Sequence, residues 1–67
     1  MNTGELSEEL ARLEGTRFFA NKPRNVPQSE WLYKAALREF GRFGQYDNLG
    51  YHYARLSAFA RMQEGQK

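Results

Sequence analysis

Residues Ser29 to Met62 hold the only tryptophan, all four tyrosines and three of the five phenylalanines of the chain. Apolar residues recur there at helical spacing. Leu32, Ala36, Phe40 and Phe43 follow one helical face, with Trp31, Ala35 and Leu37 widening it. A second face follows the turn: Leu49, Tyr53, Leu56, Phe59 and Ala60, flanked by Tyr51, Ala54, Ala58 and Met62. Gly41 and Gly44 lie between the two runs. The stretch therefore predicts two amphipathic helices, about 28–43 and about 47–64, folded back around a glycine-bearing turn. Asn25, Gln28 or Ser29 would cap the first, Asp47 or Asn48 the second, and Gly65 would stop it. Gln66 and Lys67 would fray.

The remainder must fit around that hairpin. Leu6, Leu10 and Leu13 fall at i, i+4, i+7 and predict a helix over about 4–14, with Glu5, Glu8 and Glu9 near its electropositive start. Gly15 ends it, and Thr3 or Ser7 would cap it. A helix this short is unstable alone and must dock its leucines elsewhere. Pro23 and Pro27 forbid helix through 21–26, so residues of about 15–28 read as a loop after the first helix. Continuation of the first helix through Ala20, kinked near Gly15, is a second reading. Phe18 and Phe19 are adjacent, so in an extended segment they would point to opposite sides, one of them into the core. The expected architecture is all-α: one three-helix domain over 1–67, with a C-terminal helical hairpin and a Pro-flanked loop.

Length and composition limit what such a fold can do. At 67 residues, only about 60% of the unfolded surface can be buried, so stability is marginal without help. No cysteine is present, which removes disulfides, thiolate metal sites and a thiol nucleophile. Help must come from aromatic packing or from a partner. The mean hydropathy is −0.85, with no long apolar run, so no membrane span is expected. The start, MNTGELSEEL, resembles neither a signal nor a transit peptide, so the expected location is cytoplasmic and a complete small protein is expected. A cysteine-free protein of this size suits a bacterium or a phage.

The hairpin resembles one tetratricopeptide-like helix–turn–helix unit. The residues that carry this are Tyr33, Ala36-Leu37 and Phe40, then Gly44-Gln45-Tyr46-Asp47 at the turn, then Leu49, Tyr53 and Leu56. Leu49 and Leu56 stand where that pattern prefers alanine, and Arg61 lies near the place of its closing proline. The resemblance implies binding of peptides or helices.

Catalytic and metal chemistry have little to work with. His52 is the only histidine, with Asp47 five residues away and no distinctive nucleophile. Glu8 with Glu9, and Glu30 with Glu39, read as solvated helix faces. GRFG is not followed by the Lys-Ser/Thr of a phosphate loop. An enzyme is not expected, nor a cofactor or metal.

Charge and aromatics point to macromolecular partners. The net charge is +2, with acids concentrated at the N-terminus and bases after it. Trp31, Tyr33, Tyr46, Tyr51, Tyr53 and Met62 cannot all be buried in so short a chain, and such residues are enriched at interfaces. The predicted partner-binding surface is Trp31, Tyr33, Lys34, Arg38, Arg42, Tyr51 and Arg55. The expected function is a small non-enzymatic regulator or inhibitor acting on a larger protein or complex; self-association into a dimer would satisfy the same features. The alternative is a DNA- or RNA-binding regulator, in which Arg17, Lys22, Arg24, Lys34, Arg38 and Arg42 form a phosphate-contacting patch beside Trp31 or Tyr33. In a helix-turn-helix reading Tyr51, His52, Arg55 and Ser57 would lie on the recognition helix.

Overall fold

The computed structural model describes residues 3–44 and 48–65. Gln45, Tyr46, Asp47, Gln66, Lys67 and the side chains of Thr3 and Phe43, all named above, lie outside the described residues. Four helices follow in order: α1 (Thr3–Glu14), α2 (Arg17–Ala20), α3 (Gln28–Phe43) and α4 (Asn48–Glu64). The described residues are otherwise turns and bends, with no strand among them. The fold is all-helical with α3 and α4 packed as a hairpin, and the described residues hold four helices where three were expected.

The extra helix is a single turn, and Thr16 explains it. Its N–H and its hydroxyl both donate to the Leu13 carbonyl, at 2.9 and 2.6 Å, which closes α1. Its own carbonyl then accepts from Ala20 at 3.1 Å and starts α2. The chain therefore breaks at Gly15–Thr16 and resumes in a new direction. Because Phe18 and Phe19 are helical, they do not point to opposite sides as extended residues would. Their rings meet edge to face, with centroids 5.1 Å apart. Phe19 is buried, and Phe18 stacks on Tyr53 at 5.4 Å.

The start of α3 departs from the capping expected. Pro27 occupies the N-cap position and offers no side-chain acceptor. Asn25, Gln28 and Ser29 do not take that role. Instead the Glu64 carboxylate reaches across from the last turn of α4. Ser29 donates its backbone N–H to Oε2 at 3.1 Å and its hydroxyl to Oε1 at 2.7 Å. A negative group satisfies the exposed amides at a helix start and complements its dipole. Ser57 Oγ, also buried, donates to the Ser29 carbonyl at 2.8 Å. One serine thus fixes the antiparallel register of the hairpin. At the other end Gly44 terminates α3 in the left-handed conformation (φ 75°), donating its N–H to Phe40 at 2.7 Å.

The core collects one or more residues from each helix: Leu10, Leu13, Phe19, Leu32, Leu56, Phe59 and Ala60. Leu32 and Leu56 are fully buried. Each such leucine contributes about 1.5–3 kcal/mol relative to exposure. Leu6, Phe18, Trp31 and Tyr53 close its edges. The leucine face of α1 docks on α4 and α2.

Two residues placed in the seam by periodicity are not there. Phe40 and Leu49 are 44% and 46% exposed. Leu32, Ala35, Ala36 and Glu39 line the buried side of α3 instead, at i, i+3, i+4, i+7. Glu39 occupies the position that an apolar residue was expected to fill, and it does not join the solvent-facing charges.

Candidate binding surface

The predicted surface residues fall on different flanks of the hairpin. Lys34, Arg38 and Arg42 are exposed and recur every four residues, so they share one side of α3. Tyr33, Leu37 and Phe40, at i, i+4, i+7, form a separate apolar line about a quarter-turn away, and all three are exposed. Tyr33 therefore does not belong with the basic row.

Trp31 is not on the outer surface. It packs against the core, its ring 5.9 Å from that of Phe18, and its Nε1–H donates to the Phe18 carbonyl at 2.9 Å. A buried indole N–H needs such a partner, and the α2 turn supplies it. Lys22 is also committed: its ammonium donates to the carbonyls of Pro23 (3.2 Å) and Val26 (2.7 Å), tying the turn before α3. Arg17 and Arg24 are exposed. The six-residue basic patch thus loses Lys22 to a local role and Trp31 as a stacking platform.

On α4 the exposed arc holds Tyr51, Ala58 and Met62, with Tyr51 59% and Met62 65% exposed. The Arg55 guanidinium lies over the Tyr51 ring, 5.7 Å from its centroid, a cation–π contact that orders both side chains. This apolar exposed arc is why α4, unlike α3, lacks a clean polar face.

Two grooves flank α4 and share Ala58. The larger, about 410 Å³, lies between α3 and α4 and is lined by Tyr33, Ala54, Ser57, Ala58 and Arg61. The smaller, about 270 Å³, lies toward α1 and is lined by Leu6, Arg55, Ala58, Phe59 and Met62. Neither was foreseen. The signal available was the pair of small alanines, Ala54 and Ala58, four residues apart.

His52 faces α1, with Nε2 3.8 Å from Glu9 Oε1. Glu9 also accepts a hydrogen bond from Arg12. The Arg12 guanidinium holds the Glu9 carboxyl below its ordinary range, against partial desolvation, with His52 adding a smaller pull in the same direction. Among the described residues no three of His, Asp and Glu gather as a metal site. No described helix is long and apolar enough to cross a membrane.

No protein-family model, curated protein or solved structure matches this chain.

Proposed function

We propose that this is a small non-enzymatic binding protein that regulates or inhibits a larger protein or complex by docking the α3–α4 hairpin against it. One observation carries the reading. Among the described residues six large hydrophobic residues are exposed, Tyr33, Leu37, Phe40, Leu49, Tyr51 and Met62, and every one lies on the hairpin. Tyr33, Leu37 and Phe40 form one apolar line on α3, and exposed apolar surface of this kind on a small protein supports an interaction site. On this reading the hairpin works as a single tetratricopeptide-like unit, with the Pro-flanked segment setting its entry.

The test is affinity capture from the source cells with the wild type and with a Leu37→Ser/Phe40→Ser variant. Both substituted residues are half-exposed, so the variant is expected to stay folded, which circular dichroism checks before capture. The expected result is a specific protein retained by the wild type and lost with the variant. Identical capture by both would remove the hairpin from the reading.

The second reading, binding of DNA or RNA, rests on the exposed Lys34–Arg38 row with Arg17 and Arg24. It predicts duplex or single-strand binding that weakens steeply with salt and is lost in Arg38→Gln/Arg42→Gln.

A further inference from the structure

The apolar flank of α3 has cations on both sides, and that pattern specifies an occupant. Lys34 and Arg38 directly follow Tyr33 and Leu37 in sequence and border the apolar line on its outer side. Across the 410 Å³ groove, Arg61 borders it from α4. Carboxylates are scarce here. Among the described residues of α3 and α4, Glu39 is buried and Glu64 is bonded to Ser29, which leaves Glu30 as the exposed one. The groove itself runs between two antiparallel helices, and its lining includes Ala54, Ser57 and Ala58, small enough to let a third backbone approach. The described residues offer no strand edge for an extended peptide to extend.

We infer that this groove takes an acidic amphipathic helix. Its apolar side chains, at i, i+4 and i+7, enter between Tyr33 and Ala58, and its flanking Asp or Glu residues meet Lys34, Arg38 and Arg61. Helix-in-groove recognition uses these anchor spacings, and opposite charge at the rim sets partner choice and on-rate. The inference rests on the protein-binding reading above and narrows it to one partner chemistry. A flat anionic lipid surface fits less well, because the apolar line borders a concavity and is not the crest of an isolated helix.

The experiment pans the full-length chain against a displayed library of helices about five turns long. A leucine stripe is fixed, and the flanking positions are drawn equally from Glu, Gln and Lys. Glu is expected to dominate the flanks of recovered helices. Synthesised as peptides, these should bind at least about tenfold more weakly to Tyr33→Ser. They should bind several-fold more weakly to Arg61→Gln, and more weakly as salt rises. Gln- or Lys-flanked helices that still need Tyr33 would overturn the acidic partner while leaving the protein-binding reading in place. Recovered helices indifferent to Tyr33→Ser, or no recovered helix, would overturn the groove assignment. So would Tyr33-dependent binding to mixed phosphatidylserine–phosphatidylcholine vesicles, or Tyr33-dependent dimerisation by sedimentation, since either gives the groove a different occupant.

Discussion

The first half of α3 and the last half of α4 form one end of the hairpin, and the turn end is built from similar residues. The two are treated in opposite ways. At the first, Leu32 and Leu56 are fully buried, and Ser29 has its N–H, hydroxyl and carbonyl all engaged by α4. Toward the turn, Leu37, Phe40 and Leu49 are 44%, 44% and 46% exposed. Residue type does not separate them; cover does. The helices that supply cover, α1 and α2, are 12 and 4 residues long. They bring Leu10, Leu13 and Phe19 into the core and set Phe18 on Tyr53 and Glu9 beside His52, but Leu37, Phe40 and Leu49 stay half-exposed. A short chain with a long hairpin can bury one face of it well, and the flank left open, from Phe40 through Leu37 to Tyr33 at the groove, is where another molecule has most to gain by docking.

The sharpest way to break this contrast is to truncate leucines at both ends. Leu56→Ala should cost about 2–5 kcal/mol, because a fully enclosed side chain leaves a cavity. Against a total stability of about 3–10 kcal/mol for a chain this size, that is enough to unfold much of the population. Leu37→Ala and Leu49→Ala should each stay within about 1 kcal/mol of wild type. Urea denaturation of the three variants decides it. Comparable losses at both ends would mean that the turn end is held by contacts that exposure does not reveal.

A smaller effect tests what holds the covered end in register. Glu64→Ala leaves the Ser29 N–H and hydroxyl without their acceptor and should cost about 1–3 kcal/mol. Glu64→Gln keeps an acceptor oxygen and should recover part of that loss. Ser29→Ala combined with Glu64→Ala should cost less than the two single changes summed, because both remove the same bond. Strict additivity would show that the carboxylate and the serine act independently.

The same contrast explains what could be read in advance. The hairpin was legible because apolar residues in both long helices keep the helical period and glycine separates them. The assignment of faces was not. In α3 two lines compete a quarter-turn apart: Leu32–Ala36–Glu39 and Tyr33–Leu37–Phe40. The second is the more apolar, yet the first is buried, with Leu32 sharing one core with Leu56 and Phe59 of α4 and Trp31 closing its edge against Phe18. Glu39 in the buried line is the kind of residue that pattern reading sends to solvent. The Glu64 cap was equally out of reach, since it joins residues 35 apart in sequence and depends on the register of the finished hairpin. Trp31 and Lys22 looked like partner-binding residues because their types suit that role. Their hydrogen bonds to the backbone around α2 and the following turn give them structural work instead. The two grooves needed the helices in place before they existed.

The smallest expected effect concerns how α1 is held against the first half of α4. Glu9 accepts a hydrogen bond from Arg12 within α1 and lies 3.8 Å from His52 of α4. The Arg12 hydrogen bond is the main reason that the Glu9 carboxyl titrates below its ordinary value of 4.5. A carboxylate whose folded-state pKa is depressed contributes stability that is fully present above its unfolded pKa. That contribution is lost as pH falls through the lower, folded value. Glu9→Gln should therefore flatten the decline in urea midpoint below about pH 4.5, and leave the other carboxylates to account for the rest. The pair is solvent-facing, so the difference should be smaller than either effect above and should shrink further in high salt. An unchanged acid limb in Glu9→Gln would mean that α1 is held by its leucines alone. In that case the cover that α1 gives the hairpin is apolar throughout and rests on Leu6, Leu10 and Leu13.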